Sequence, residues 1–312
     1  GAQLFRDLVT GERDSLELRA PTPTTSSSAD DQVPLALYQR YIEMVDRLTA
    51  TRQACTVDNF ATSDIRYSRQ TAQVSISAPT ADDGSTAFTD FDITSGDVVP
   101  KIQLFTAWSE ATFSAVADSA FSLESIILGQ HAEALGAALE SKYIQGLTSG
   151  GSVTEMEALF SDQGKDITAA AGTWTVADLI KGYLQLAGTG YYYQPGSFVI
   201  SGAVAEDILG STDGNDRLLL QMSAQSSAAD DVPFRVFGKP VYVTSGAAAD
   251  ASGSVQACFV TKDAYHVQDV GSIRFTRDQY TAASRGAVRL VSSWRSSGWF
   301  VRPEGHVAMK SA

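Results

Sequence analysis

Cysteine is scarce. Cys55 and Cys258 are the only two in 312 residues; they lie far apart, and neither belongs to a CxxC or Cys/His cluster. A disulfide framework and a thiolate metal centre are both excluded, at most one bridge could form, and buried free thiols are the expected state. Histidine is almost as rare, with His131, His266 and His306 standing alone. None has a partner at a metal-ligand spacing, and His131 and Glu133, two apart on a helix, would not face each other. Apolar runs are short: none approaches the roughly 18 residues of a membrane-spanning helix, and no signal-peptide succession opens the chain, so a soluble protein is expected. Positive charge is also short, with 23 Lys+Arg against 36 Asp+Glu, a net charge of −13 and a pI near 4.6. A protein that grips nucleic acid through its phosphates normally carries a basic stripe; here the mean field repels polyanions.

The usual marks of catalysis are missing too. There is no GxxxxGK[ST] phosphate loop and no G-x-S-x-G elbow. Asp213-Gly214-Asn215-Asp216 has the start of a calcium loop but not its further oxygen ligands or terminal glutamate, so it reads as a turn. Tyr191-Tyr192-Tyr193 reads as packing or interface. No catalytic, cofactor-binding or metal-binding residue is nominated, no cofactor is expected, and no repeat of 20 to 50 residues suggests a solenoid or propeller.

What is present is an uneven succession of elements. Residues 1–34 combine Leu4, Phe5, Leu8 and Val9 with the stretch Pro21 to Asp31, rich in Pro, Thr and Ser. Such a segment is either a disordered leader or an arm that orders only across a neighbouring subunit. Leu35, Leu37, Tyr38, Tyr41, Ile42, Val45 and Leu48 then recur at helical spacing. After Cys55 the period becomes two, through Ile65, Tyr67, Val74 and Ile76, with a turn at residues 81–85 before Phe88, Phe91 and Ile93. This predicts a long β-hairpin with few core-sized residues, built to reach outward.

Lys101 to Trp108 reads as a short strand. No proline lies between Pro100 and Pro195, and from Ala111 to Gly146 one face carries Phe113, Ala117, Phe121, Leu128, Ala132, Leu135, Leu139 and Tyr143. The spacing predicts a helix roughly 50 Å long, ended by Ser149-Gly150-Gly151 and lying on a sheet, since no second long helix follows. Thr175 to Asp178 forms a capping box for a helix through Ala187. Strands at Phe198–Ser201, Pro240–Thr244 and Gln256–Thr261 and a helix at Val204–Leu209 then predict a compact α+β lobe. From Ile273 to Lys310 the chain is strand-like and holds Arg274, Arg277, Arg285, Arg289, Arg295 and Arg302. These form either a solvated face or intersubunit pairs with the acidic remainder.

Pro100-Lys101 leading to Ser109-Glu110 before the long helix, Phe237-Gly238-Lys239-Pro240-Val241 before a strand, and the run from Lys262 through Asp269, Arg277 and Arg285 to Pro303 follow in a characteristic order. Together they make the chain resemble the major capsid proteins of tailed double-stranded DNA viruses, of the Hong Kong 97 type. The resemblance implies an α+β fold with an N-arm (1–34), the start of a P-domain (35–61), an E-loop hairpin (62–96), a P-domain with its spine helix (97–171), an A-domain (172–272) and returning P-domain strands (273–312). It implies a non-enzymatic protein assembling with itself as hexamers and pentamers, with a portal and with scaffolding or decoration proteins. That shell would enclose DNA without sequence-specific binding, have no membrane partner, and be assembled in the host cytoplasm as part of the virion. In such families a maturation protease often removes an N-terminal segment, which a start at Gly1 without Met would fit; a trimmed start would fit equally. The type member's covalent linkage through an E-loop lysine is closed to this chain, because residues 61–95 contain no lysine. The alternatives are an encapsulin-type compartment shell, a small-molecule enzyme with an unrecognised site, and a receptor-binding or tail protein.

Overall fold

The computed structural model describes residues 15–17, 45, 49–70, 95–114, 123–149, 153–169, 173–186, 195–210, 234–271, 273–278 and 280–312. Two six-stranded sheets dominate it. The first is built on one long strand near the C-terminus, Ala287–Phe300, which is numbered β15 in chain order. Ten rungs join it antiparallel to β5 (Gln103–Thr112). Ser296 pairs with Gln103 on one side and with Asp269 on the other, so β13 (Tyr265–Val270) and β14 (Arg274–Asp278) share the opposite edge of β15, one after the other. β1 (Ser15–Glu17) adds antiparallel to β14, and β2 (Thr56–Phe60) adds parallel to β13.

The side chains of β15 alternate as a sheet covered on one face requires. Leu290, Ser292, Trp294, Ser296 and Phe300 are buried, whereas Arg289, Val291, Ser293 and Arg295 stand on the open face. Helix α2 (Leu123–Gln145) lies on the covered face, with the short helix α1 (Ala50–Ala54) beside it. Ala132, Leu135, Leu139 and Tyr143 of the predicted apolar stripe are buried there, in one core with Trp294 and Phe300. Leu139 to Ala alone should cost about 2–5 kcal/mol.

The second sheet runs β10 (Phe234–Val236), β11 (Lys239–Thr244), β9 (Gly196–Ser201), β12 (Val255–Thr261), β16 (His306–Lys310), β8 (Asp166–Thr168). Both of its faces are covered, which explains why its central strands are apolar throughout rather than alternating. Phe198, Ile200 and Phe259 pack under helices α3 (Val176–Leu184) and α4 (Gly202–Gly210). Val199, Cys258 and Val260 point the other way, into the core of α2. The capping box is present: the Asp178 carboxylate accepts from the Thr175 hydroxyl at 2.7 Å and from its N–H at 3.2 Å.

Several local expectations change. β5 continues to Thr112, past the Ala111 start predicted for the helix, because its cross-strand rungs with β15 persist to Ala287; Phe113 is then 45% exposed rather than part of the apolar stripe. The helix stops not at Ser149-Gly150-Gly151 but at Gly146, whose φ of 75° only glycine adopts easily and where a Cβ would meet Met156 and Ala158 at 3.0 Å. Ser149 instead closes β6 (Leu147–Ser149), paired with β7 (Val153–Met156). α3 ends at Leu184, three residues short of Ala187.

Of the hairpin, the base is seen as β3 (Tyr67–Gln70) paired with β4 (Ser95–Val98); Val74, Ile76, the turn at 81–85, Phe88, Phe91 and Ile93 lie outside the described residues. So do the helical stretch at residues 35–44, the remainder of the arm, the tyrosine run at 191–193 and the turn at 213–216. The six arginines do not form one class: Arg277 is buried, and Arg285 and Arg289 pair with Glu110 of the same chain. Both cysteines are free and buried.

Candidate assembly surfaces

The two sheets are joined by a polar junction inside one chain. Arg52 of α1 donates to Asp269 of β13 at 2.8 Å, with both side chains 4% exposed. Its guanidinium lies 5.0 Å from the Trp294 ring centroid. The other Asp269 oxygen accepts from Ser296 at 2.7 Å, and Ser296 shares a 2.6 Å hydrogen bond with Tyr143 of α2. A few residues along, Glu140 is wholly buried and accepts from the Thr51 N–H at 3.2 Å and the Thr244 hydroxyl at 2.5 Å. Burial raises its pKa. Gly246, next to the end of β11, is packed so tightly on the helix that a Cβ would lie 2.9 Å from the Glu140 carbonyl oxygen. His131 completes the attachment of α2, between Ser109 of β5 at 2.9 Å and Ser292 of β15 at 2.8 Å, its pKa lowered by burial. Breaking a buried ion pair by removing one member costs several kcal/mol, so these contacts make the helix and both sheets a single stiff body.

The hairpin is rooted in that body. The Tyr67 hydroxyl donates to Asp58 of β2 at 2.9 Å, and the same carboxylate oxygen meets His266 Nδ1 at 2.6 Å. Tyr67 also packs edge-on to Phe60, with ring centroids 6.3 Å apart.

The open face of the first sheet has a different chemistry. Leu104 and Trp108 on β5 are 64% and 60% exposed. Arg289 lies 4.6 Å over the Trp108 ring and is held at 2.7 Å by Glu110. Arg274 and Arg295 stand on the same face by register, the first opposite Ser293 and the second opposite Leu104. In the second sheet, the two-residue turn between β10 and β11 puts Phe237 and Gly238 at φ 55° and 71°. This is the geometry that Asn-Gly favours. A phenylalanine there is strained by about 1–2 kcal/mol, yet its side chain is 65% exposed.

No group of three or more His, Cys, Asp or Glu side chains could hold a metal ion among the described residues, and no described helix is long and apolar enough to cross a membrane. His131 has hydroxyl partners, His266 a carboxylate, and His306 is buried with its pKa lowered to about 4. A shallow depression of about 530 Å³ at the ends of β9 and β11 is lined by Ser201, Thr244, Ser245 and Gln256, with Asp250 its one titratable group. The geometry of the described residues is that of a rigid plate with outward-facing apolar side chains.

The model of the phage capsid family matches residues 30–311. The chain belongs to the phage capsid family. It is therefore a major capsid protein, a structural shell component of the virion and not an enzyme, and copies of it assemble into the shell. Among solved structures it is similar to the capsid of a native GTA particle, at 17% identity and a TM-score of 0.64, over 94% of this chain and 95% of that one. Mycobacterium phage Adephagia gives 14% identity and a TM-score of 0.63 over 85% and 90%. Microbacterium phage Oxtober96 gives 12% and 0.61 over 98% and 99%. At such identities these likenesses carry the fold: mixed α+β, of the Hong Kong 97 type. No curated protein matches the sequence.

Sequence reasoning found the helix stripe, the hairpin root and the order of elements in this capsid protein. It missed the Arg52–Asp269 pair and Glu140, whose partners lie 217, 104 and 89 residues away in the chain. The pattern Phe237-Gly238-Lys239-Pro240-Val241 placed this segment before a strand without marking its strain; a bulky residue where Asn commonly precedes glycine in a two-residue turn is the signal for it.

Proposed function

We propose that copies of this capsid protein tile a closed icosahedral head as hexamers and pentamers around double-stranded DNA, held by noncovalent overlap. The single observation that carries this reading is the pairing of a rigid, internally bonded plate with large apolar side chains on its open face, above all Leu104 and Trp108. An isolated domain gains nothing from such exposure, whereas a repeated contact buries it in every copy.

The division of labour we propose takes residues 1–34 as the N-arm, 62–96 as the E-loop, 35–61 with 97–171 and 273–312 as the P-domain, and 172–272 as the A-domain. Residues 71–94 carry Asp82, Asp83, Asp90 and Asp92 and no Lys or Arg. That charge suits a neighbour's face bearing Arg274, Arg289 and Arg295, with Phe88, Phe91 and Ile93 available to cover Leu104 and Trp108. The absence of lysine from residues 61–95 is why we assign the overlap to packing and ion pairs. An acidic shell, net −13 per chain, lets DNA be packed without being gripped. A portal would occupy one vertex, with scaffolding or decoration proteins as further partners.

Electron microscopy of the purified chain tests this reading. Regular hollow polyhedra tens of nanometres across are expected; a compact species that stays monomeric at every concentration would contradict it.

A further inference from the structure

We infer that Phe237 is an assembly anchor: the strained turn between β10 and β11 holds this side chain out to be buried by a second copy of the chain. The inference rests on the shell reading above and adds to it a specific contact on the second sheet.

The observations are local and independent of the first sheet's open face. Two-residue hairpin loops with both φ values positive are the habitat of Asn-Gly and Asp-Gly. Here the first position is Phe237 at φ 55° and the second Gly238 at φ 71°. The turn closes β10 on β11 in unbroken register, Val236 opposite Lys239, so the hairpin needs a residue there but gains nothing from its being aromatic. No packing partner for the ring is found among the described residues, and it is 65% exposed. A local choice that disagrees with the local fold, and has no compensation among the described residues, is where function outside the subunit is to be sought.

The surroundings say what kind of partner fits. Lys239, at the foot of the turn, reaches the Tyr183 ring of α3 at 5.6 Å, which places the turn beside the end of that helix. There Leu184 is 49% exposed, a further outward-facing apolar side chain on a helix that covers the same sheet. Arg235 and Lys239 flank the phenylalanine with positive charge in a chain whose net charge is −13. A basic-aromatic-basic tip suits another copy of a chain whose net charge is −13, and a contact between unlike patches of identical subunits is the kind that closes rings. Single aromatic side chains in such contacts often carry much of the binding.

The test exploits opposite signs. Phe237→Asn installs the residue the turn prefers, so the unassembled subunit should unfold at the same or a higher denaturant midpoint than wild type. The same change removes the anchor, so particle yield, read by sedimentation and microscopy near the wild type's assembly threshold, should fall by about tenfold or more. Phe237→Leu, which keeps an apolar tip, should assemble at an intermediate level. Phe237→Asn particles at wild-type yield would overturn the inference, including the version in which a different protein covers the tip. So would a clearly lowered unfolding midpoint, which would make Phe237 part of the fold. If wild type itself forms no particles, the shell reading fails and takes this inference with it; wild-type assembly with indifferent Phe237 variants removes the inference alone.

Discussion

At the junction between the sheets, Arg52, Asp269, Ser296, Tyr143 and Glu140 all find their partners within one chain. On the open face of the first sheet and at the turn of the second, Leu104, Trp108 and Phe237 stand 60% exposed or more. The first region is what a domain needs in order to be rigid alone. The second is what a domain carries when its burial is to be completed by others. On the reading proposed above, the difference teaches how this phage capsid protein divides its stability: stiffness is internal, and apolar contact is exported.

The comparison can be broken at either end. The largest effect is expected at the exported end. Deleting residues 78–88 should abolish shells while leaving the cooperative unfolding of the body intact; undiminished particle yield would remove the hairpin from the account. Next, at the internal end, Asp269→Ala leaves Arg52 buried without its ion-pair partner, and a loss of about 3–5 kcal/mol in urea unfolding is expected. A loss below about 1 kcal/mol, the range of a surface pair, would show that the junction is not what stiffens the molecule.

A third change sharpens the internal end through pH. Burial raises the pKa of Glu140 above its ordinary value near 4.5. Its folded-state pKa therefore exceeds its unfolded one, so its contribution to stability is complete below about pH 4.5 and is lost as pH rises through the raised value. Glu140→Gln keeps groups able to bond Thr51 and Thr244 and removes that loss. The variant should be at least as stable as wild type at pH 7 and lose its advantage in acid. His306 slopes the other way: its pKa is lowered to about 4 from 6.5, so its contribution is complete above pH 6.5 and fades as pH falls toward 4. Comparing Glu140→Gln with wild type at each pH cancels that slope. The smallest subunit effect is expected for Trp108→Ala, about 0.5–1 kcal/mol from the lost Arg289 stack, with a much larger fall in assembly. A reversed ranking, with a stable shell and a broken subunit, would make the open face part of the fold.

Much of this was legible in sequence, for reasons that differ by region. The stripe Ala132, Leu135, Leu139, Tyr143 is a local periodicity and needs no knowledge of its partner. The capping box at Thr175 and Asp178 is local as well. The strand boundary at Thr112 is not, since the rungs that hold β5 extended come from residues about 180 positions away, on β15. The junction is the extreme case. Nothing around Arg52 announces Asp269, and Glu140 reads as an ordinary surface residue of an amphipathic helix until β11 is laid against it. The exported side chains lie between these cases: Trp108 could be read as core or surface, and only the covered opposite face of β15 decides it.

The central claim is that copies complete one another's burial, and analytical ultracentrifugation of the purified chain across concentration, with images of the fastest fraction, addresses it most directly. The account predicts a threshold above which subunits pass cooperatively into closed, hollow particles, with subunits below it retaining their fold. A single compact monomer at all concentrations, with Trp108 and Phe237 shown by solvent-accessibility footprinting to be sheltered within it, would contradict it.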